Sequence, residues 1–158
     1  MPRITVCPTR TDTSAATPDT LAYSLTLPSA LTSPTIARTL TRTVLTAHGL
    51  TALVDPATQA VAELTAAACT FSATPEVYLS LRFRDGTLRV IAYDSHPRHT
   101  RPRLAAACDA RRRAALRLLA CVTRARGRLG LRRGAGTGRG YADVGDGAVR
   151  RGVAYGHR

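Results

Sequence analysis

The fold class of this chain follows from one stretch of sequence, VYLSLRFRDGTLRVIAY at residues 77–93. On both sides of Asp85-Gly86, apolar side chains alternate with others, a pattern typical of half-buried β-strands. A two-residue Asp-Gly connection between such runs favours a tight primed turn. The stretch therefore predicts a β-hairpin whose inward face consists of Val77, Leu79, Leu81, Phe83, Leu88, Val90 and Ala92.

One further strand and two helices are predicted upstream of the hairpin. Residues 21–27 alternate in the same way and predict a strand. Ser33-Pro34 and Asp55-Pro56 each combine an N-cap residue with a proline at the first helical position, which is a helix start signal. The helices are predicted to bury two apolar stripes: Ile36, Leu40, Val44 and Ala47 in the first, which Gly49 ends, and Ala60, Val61, Leu64, Ala67, Ala68 and Phe71 in the second.

Downstream of the hairpin, a polar turn at residues 94–97 and a Pro/Arg linker at 98–103 precede a third predicted helix over 104–126. After Gly127, Leu129 and Leu131 fit the start of a strand, but from Gly134 to Gly147 glycine is so frequent that no period survives, and the last strands of the sheet are not predicted. The order β-α-α-β-β-α predicts an α+β fold, a two-layer sandwich with the helices on one face of a mainly antiparallel sheet.

The charge of the chain is concentrated in its second part. The 158 residues include 23 basic side chains, all arginine, and carry a net charge of +13. Residues 1–97 are neutral, because seven arginines balance seven acidic residues, whereas residues 98–158 hold sixteen arginines and three aspartates. This basic end favours, as an alternative function, a nucleic-acid-binding protein that contacts phosphates through arginine.

Several classes of protein are disfavoured by the composition. The longest apolar runs are too short for a membrane span, and the first 30 residues have no apolar core of a secretory signal, so a cytoplasmic protein is expected. The spacing of the four cysteines fits neither a zinc site nor a disulfide framework. His96 and His99 have no Asp, Glu or Cys partner at ligand spacing, so we predict exposed turn residues there and no metal site.

The element order and several local strings resemble the ATP-binding domain shared by gyrase, histidine kinases and anti-sigma-factor serine/threonine kinases. The likeness is greatest to small anti-sigma regulatory proteins and covers about residues 21–127. It rests on these strings: Ser33-Pro34, Ala47-His-Gly49-Leu50, Val61-Ala-Glu63-Leu64, residues 81–90, and Asp94-x-x-Pro97. The resemblance implies a histidine-kinase-like ATPase domain at 21–127, between a flexible tail at 1–20 and a Gly/Arg-rich, disordered or degraded end at 128–158.

This resemblance implies a set of site residues. Glu63 matches the glutamate that acts as general base, and Asp94 with Pro97 matches the Asp-x-x-Pro box that receives the adenine amino group. Leu116 is the only match to the Gly-Arg-Gly-Leu box that approaches the phosphates. Ala67 stands where the family has the Asn that holds Mg²⁺, and a methyl group cannot ligate a cation that demands oxygen. ATP is therefore the implied ligand, Mg²⁺ is not expected, and phosphoryl transfer should be impaired.

The function implied by the resemblance is regulation by binding a protein, either a sigma factor or an anti-sigma antagonist, with the serine/threonine kinase activity weak or lost. A homodimer is left open. The segment after residue 127 has two explanations, a genuine Arg/Gly-rich appendage or a coding sequence that drifted or shifted frame near residue 130. A third hypothesis is a remnant that folds poorly, since the alanine-rich core is thin.

Overall fold

A computed structural model describes residues 15–97, 99–116, 129–133 and 139–145. The helices and strands, in chain order, are β1 (Ala22–Pro28), α1 (Ser33–Ala47), α2 (Val54–Phe71), β2 (Glu76–Arg84), β3 (Thr87–Tyr93), α3 (Pro102–Ala115), β4 (Leu129–Arg133) and β5 (Arg139–Gly145). Short 3-10 turns cover Pro18–Thr20 and Thr51–Leu53. None of the helices within these ranges is both long and apolar enough to cross a membrane.

The strands form one antiparallel sheet in the order β1-β2-β3-β5-β4. Helix α2 packs on β2, β3 and β5, and α1 packs on α2. The predicted α+β class, with helices layered against an antiparallel sheet, is confirmed.

The hairpin of β2 and β3 has the predicted turn and the predicted inward face. Asp85 and Gly86 have φ values of 51° and 69°, as a type I′ turn requires of both central residues. Leu81 pairs with Val90 in the register, and both are fully buried. Of the predicted inward residues, Val77, Leu79, Leu81, Leu88, Val90 and Ala92 are buried and Phe83 packs at the edge of the core.

The predicted buried stripe of α1 is wrong for Ile36, Leu40 and Ala47, which are exposed, whereas Val44 packs against the core as predicted. Ile36 and Leu40 are 43% and 36% exposed. The buried residues of α1 are instead Ser33, Ala37, Thr41 and Leu45. Side chains at the contact set the distance between two packed helices, and small ones allow a close approach. The facing helix α2 is also rich in small buried residues, among them Ala57, Ala60 and Ala68. In its first three turns α1 therefore buries small side chains and leaves Ile36 and Leu40 outside, and Leu45 is its one large buried side chain.

The sequence pattern predicted no complete strand after residue 127, although Leu129 and Leu131 fit the start of one, and the structure has two strands there, the first beginning at Leu129. Strand β5 pairs with β3 along its whole length, from Thr87 opposite Gly145 to Tyr93 opposite Arg139, and β4 pairs with β5. A strand pairs through backbone N–H and C=O groups. A segment rich in glycine can therefore extend the open edge of β3.

Two predicted boundaries also differ from the structure. The flexible tail was expected to run to residue 20, but Pro18–Thr20 form a 3-10 turn, and the carbonyl oxygen of Thr17 accepts a hydrogen bond from Nδ1 of the buried His48. Helix α3 spans Pro102–Ala115, so it begins two residues before the predicted 104–126, inside the predicted linker. Residues 1–14 of the predicted tail and 117–126 of the predicted helix lie outside the described residues.

Candidate functional site

The Asp94 carboxylate, at the end of β3, is occupied by groups of the protein itself. Asp94 is 4% exposed. Its Oδ1 accepts a hydrogen bond from Nη2 of Arg112 at 2.7 Å and another from the backbone N–H of His96 at 3.0 Å. A buried carboxylate requires a charged partner and further hydrogen bonds to offset its lost hydration. Asp94 therefore serves as the counter-ion of Arg112 and as the hydrogen-bond acceptor for the backbone N–H of His96 in its own turn.

Arg112 links three parts of the fold. It projects from α3, its side chain is 19% exposed, and its guanidinium lies 5.0 Å from the centroid of the Phe71 ring. This distance is within the range of a cation–π contact. Arg112 thus holds α3 against both Asp94 and the last residue of α2.

The loop at residues 94–97 is also anchored through Ser95. The Ser95 hydroxyl accepts a hydrogen bond from the backbone N–H of Ala73 at 3.0 Å and lies 3.1 Å from Ser72 Oγ and 2.9 Å from Thr74 Oγ1. These partners belong to the α2–β2 connection. His96, which follows Ser95, is therefore fixed in place by the bonds of both preceding residues.

Three metal-ligating side chains meet beside this loop. His96 Nε2 lies 2.9 Å from His99 Nε2 and 2.9 Å from Cys108 Sγ, and all three side chains are half-buried. The prediction that both histidines are exposed turn residues without a cysteine partner is wrong. Cys108 reaches them from α3, since Arg112 one helical turn further on is drawn to Asp94.

The hydrogen bonds of His96 assign its tautomer. Nδ1 lies 3.2 Å from the carbonyl oxygen of Phe71, which can only accept, so Nδ1 carries the proton and donates it. Nε2 therefore presents a lone pair to His99 and Cys108. The cluster can act chemically as a hydrogen-bonded triad, as a thiol–imidazole pair or as a set of metal ligands.

Of the other predicted site residues, Pro97 lies near Asp94, while Glu63 and Leu116 lie on other parts of the fold. Glu63 is half-buried on α2, and its Oε1 accepts a hydrogen bond from Gln59 Nε2 at 2.7 Å. Pro97 shares the loop of Asp94. Leu116 follows α3 and packs against the hydrophobic core. The structure thus joins Asp94 and Pro97 in one loop, while Leu116 makes a core contact.

The residues present do not fit Mg²⁺-ATP in the manner of the family that the sequence resembles. Asp94 already holds Arg112 and the N–H of His96. Ala67 supplies no oxygen for Mg²⁺. Arg113, Ala114 and Ala115 lie inside helix α3, where the family has a glycine loop around phosphate.

A shallow depression of about 220 Å³ lies on the outer face of the sheet. Its lining combines hydroxyl, aromatic and aliphatic side chains, among them Ser24, Thr26, Tyr78, Ser80, Ile91 and Tyr93, and none of the predicted site residues contributes to it. The site at the end of β3 is thus defined by its side-chain contacts.

The chain matches no protein-family model, and no curated protein is significantly similar to it.

Proposed function

We propose that this chain is a regulatory protein of the anti-sigma-factor kinase type, which binds a sigma factor or an anti-sigma antagonist and has weak or no kinase activity. The α+β architecture, with two helices following the first strand and a hairpin after them, supports the likeness to the ATP-binding domain of that family. The observation that carries the proposal is the buried Asp94–Arg112 pair. This pair leaves the scaffold intact but occupies the Asp94 carboxylate, which would otherwise accept a hydrogen bond from adenine.

The competition for Asp94 favours Arg112. Breaking a buried ion pair costs about 3–5 kcal/mol, because one charge is left uncompensated. The adenine amino group is a neutral donor, and a hydrogen bond of that kind contributes about 0.5–1.5 kcal/mol net. ATP must therefore bind without this contact or bind weakly. A protein that binds ATP weakly or not at all can still bind a protein partner through its surface.

Calorimetric titration with Mg²⁺-ATP tests the first half of the proposal. The wild-type protein should give no binding heat at millimolar nucleotide, and Asp94→Asn should behave in the same way. Asp85→Asn is the matched control, since it makes the same change at an exposed turn residue whose positive φ Asn tolerates. Micromolar ATP binding that Asp94→Asn abolishes and Asp85→Asn preserves would show that the nucleotide site is live and contradict this half.

Binding measurements with purified partners test the second half. The full-length chain is immobilised and exposed to sigma factors and to anti-sigma antagonists from its own source. We expect one of these classes to bind with a Kd of about 10 µM or tighter, equivalent to about 7 kcal/mol. Failure of both classes to bind at 100-fold higher concentration would refute a regulatory role of this type.

Nucleic-acid binding remains the second candidate because α3 presents arginines to solvent. Arg103, Arg111 and Arg113 are exposed on this helix, and Arg101 is exposed just before it. Gel shifts of Arg111→Gln/Arg113→Gln should show weaker binding and a salt slope reduced by about 0.9 per lost phosphate contact. The matched control is the same double change at Arg38 and Arg42, which are exposed on α1. Equal binding by both variants would exclude α3 as the contact surface.

A further inference from the structure

The donor atoms of His96, His99 and Cys108 converge on one point. The His99 nitrogen and the Cys108 sulfur each lie 2.9 Å from His96 Nε2, and the three atoms are all within 4.8 Å of one another. His96 Nε2 offers a single lone pair, because Nδ1 carries the ring proton and donates a hydrogen bond to the Phe71 carbonyl oxygen. Two groups thus compete for one acceptor, an arrangement that hydrogen bonding alone satisfies poorly.

The surroundings of His96 are those of a metal-binding histidine. Such a ligand usually donates its second ring N–H to a carbonyl or carboxylate, which fixes the tautomer and aims the other nitrogen at the metal. The Phe71 carbonyl oxygen occupies this position at 3.2 Å. The backbone of His96 is held by the Asp94 carboxylate at 3.0 Å. The lone pair of Nε2 is therefore oriented by contacts that exist without any metal.

Two of the three donor separations, both measured from His96 Nε2, are close to those of a tetrahedral site. With Zn–N bonds of about 2.0–2.1 Å and a Zn–S bond of about 2.3 Å, ligand atoms at tetrahedral angles are about 3.4 Å apart for two nitrogens and about 3.6 Å apart for nitrogen and sulfur. The observed 2.9 Å separations are shorter by about half an ångström or slightly more. Small rotations of the His99 and Cys108 side chains, both half-buried, can open this space.

We propose that His96, His99 and Cys108 form a binding site for a thiophilic transition-metal ion, with Zn²⁺ as the first candidate. Imidazole and thiolate are ligands that Zn²⁺, Co²⁺ and copper prefer, whereas Mg²⁺ and Ca²⁺ require oxygen. Three protein ligands leave the fourth tetrahedral position to water or to an exchangeable ligand. Metal binding releases the Cys108 thiol proton to solvent, since the ligand is the thiolate.

A thiol–imidazole nucleophile is the competing interpretation of the same contacts. That chemistry requires one base beside the thiol, a cleft for substrate and donors for the developing oxyanion. Here two imidazoles meet the thiol, and the described depression lies on the outer face of the sheet. The second imidazole is what a metal site uses and a nucleophile pair does not need.

Cobalt(II) titration of the full-length, chelator-treated protein in a non-thiol reductant tests the site. We expect one Co²⁺ per chain, with a thiolate-to-cobalt charge-transfer band and tetrahedral d–d bands, and displacement by Zn²⁺ with a Kd below about 1 µM. Cys108→Ser should abolish the charge-transfer band, and His99→Ala should weaken Zn²⁺ binding about 100-fold or more. Cys69→Ser removes a thiol of α2 outside the cluster and should leave both readouts unchanged.

A measurement on the unmutated protein guards against loss of folding in the variants. Zn²⁺ should protect Cys108 from iodoacetamide, with peptide mass spectrometry as the readout, while the modification of Cys69 should not change. The proposal is overturned if 100 µM Co²⁺ gives no band, if the band survives Cys108→Ser, or if Zn²⁺ leaves Cys108 as reactive as before. Persistence of full affinity in His99→Ala would equally exclude the three-ligand site.

Discussion

Replacing Thr41 by valine should stabilise this protein, although the change removes a polar group from α1. Thr41 is fully buried, and its hydroxyl finds no hydrogen-bond partner within the described part of the chain. The hydroxyl of Thr65 on α2, which is 1% exposed, likewise finds no hydrogen-bond partner among the described residues. A buried hydroxyl that has lost its water and gained no partner opposes folding.

The expected size follows from the buried groups. An unsatisfied buried hydroxyl costs about 1–3 kcal/mol, and burying an additional methyl group contributes about 0.8 kcal/mol. Valine and threonine have similar shapes and helix propensities, so neither packing nor the helix itself should change much. After allowance for imperfect packing, we expect each change to raise the free energy of unfolding by about 1.5 kcal/mol. In a chain of this length that corresponds to a rise in Tm of about 3–6 °C.

Urea unfolding monitored by circular dichroism measures this effect. With an m-value of about 2 kcal/mol/M, the midpoint should move up by about 0.7 M while m itself stays constant. Thr58→Val is the matched control. Thr58 is 4% exposed, but its Oγ1 donates to the Asp55 carbonyl oxygen at 3.0 Å, so its loss should be neutral or destabilising by about 1 kcal/mol. A Thr41→Val protein less stable than wild type, or as responsive as Thr58→Val, would refute the reasoning.

Three further predictions concern packing, the turn and thiol chemistry. Leu45→Ala should lower the free energy of unfolding by about 2–5 kcal/mol because Leu45 is fully buried, whereas Ile36→Ala should lower it by less than about 1 kcal/mol. Urea unfolding measures both values, and equal losses of stability would support the buried stripe predicted from sequence. Gly86→Ala should cost about 1–2 kcal/mol through its positive φ alone, since no atom lies within 4 Å of the added Cβ, and Gly86→Asn should cost less. Burial raises the pKa of the Cys69 thiol, so its alkylation rate, followed by peptide mass spectrometry, should rise with pH at a midpoint above that of free cysteine; a lower midpoint would contradict this.

The sequence sufficed for β2 and β3 because each has one face in the core and one outside, and for β1 because its alternation places Leu27 in the core and Leu25 against it. Side chains of a strand alternate between faces, so alternating apolar and polar residue types predict directly which side chains are buried. The turn was predictable for a local reason as well, since Asp85-Gly86 tolerates the positive φ values found there. Neither argument depends on what the strands pack against.

The burial of α1 and the strand β5 depended on partners that the sequence pattern does not show. The large residues Ile36 and Leu40 suggested one buried face, but the close contact with α2 selects the small residues Ala37 and Thr41. Strand β5 exists through backbone pairing with β3. A hydrophobic period indicates which side chains avoid water, and it cannot indicate how closely two elements approach.

The candidate site was missed for a related reason. The resemblance implies an adenine-binding role for Asp94, and the sequence predicts an exposed turn at His96, but Arg112 and Cys108, which contact these two residues, lie on α3, beyond the linker. The useful signal was their spacing: Cys108 and Arg112 are four residues apart and share a helix face, while Asp94 and His96 are two apart in a turn. An Asp94–Arg112 ion pair, assumed in advance, would have placed the thiol beside the imidazole.

Both proposals depend on how α3 is held, and this connects them. None of the 14 residues of α3 is buried. Its described polar contacts to the end of β3 come from Arg112 to Asp94 and from Cys108 to His96. A metal ion on Cys108 would fix the helix in the position that keeps Arg112 on Asp94. Adenine, to reach Asp94, would have to displace Arg112 and strain the helix that carries the thiol. By linkage, any ATP binding through Asp94 must be weaker in a Zn²⁺-loaded chain than in the metal-free chain, which agrees with the absence of binding heat expected above, and such ATP binding must weaken Zn²⁺ binding by the same factor.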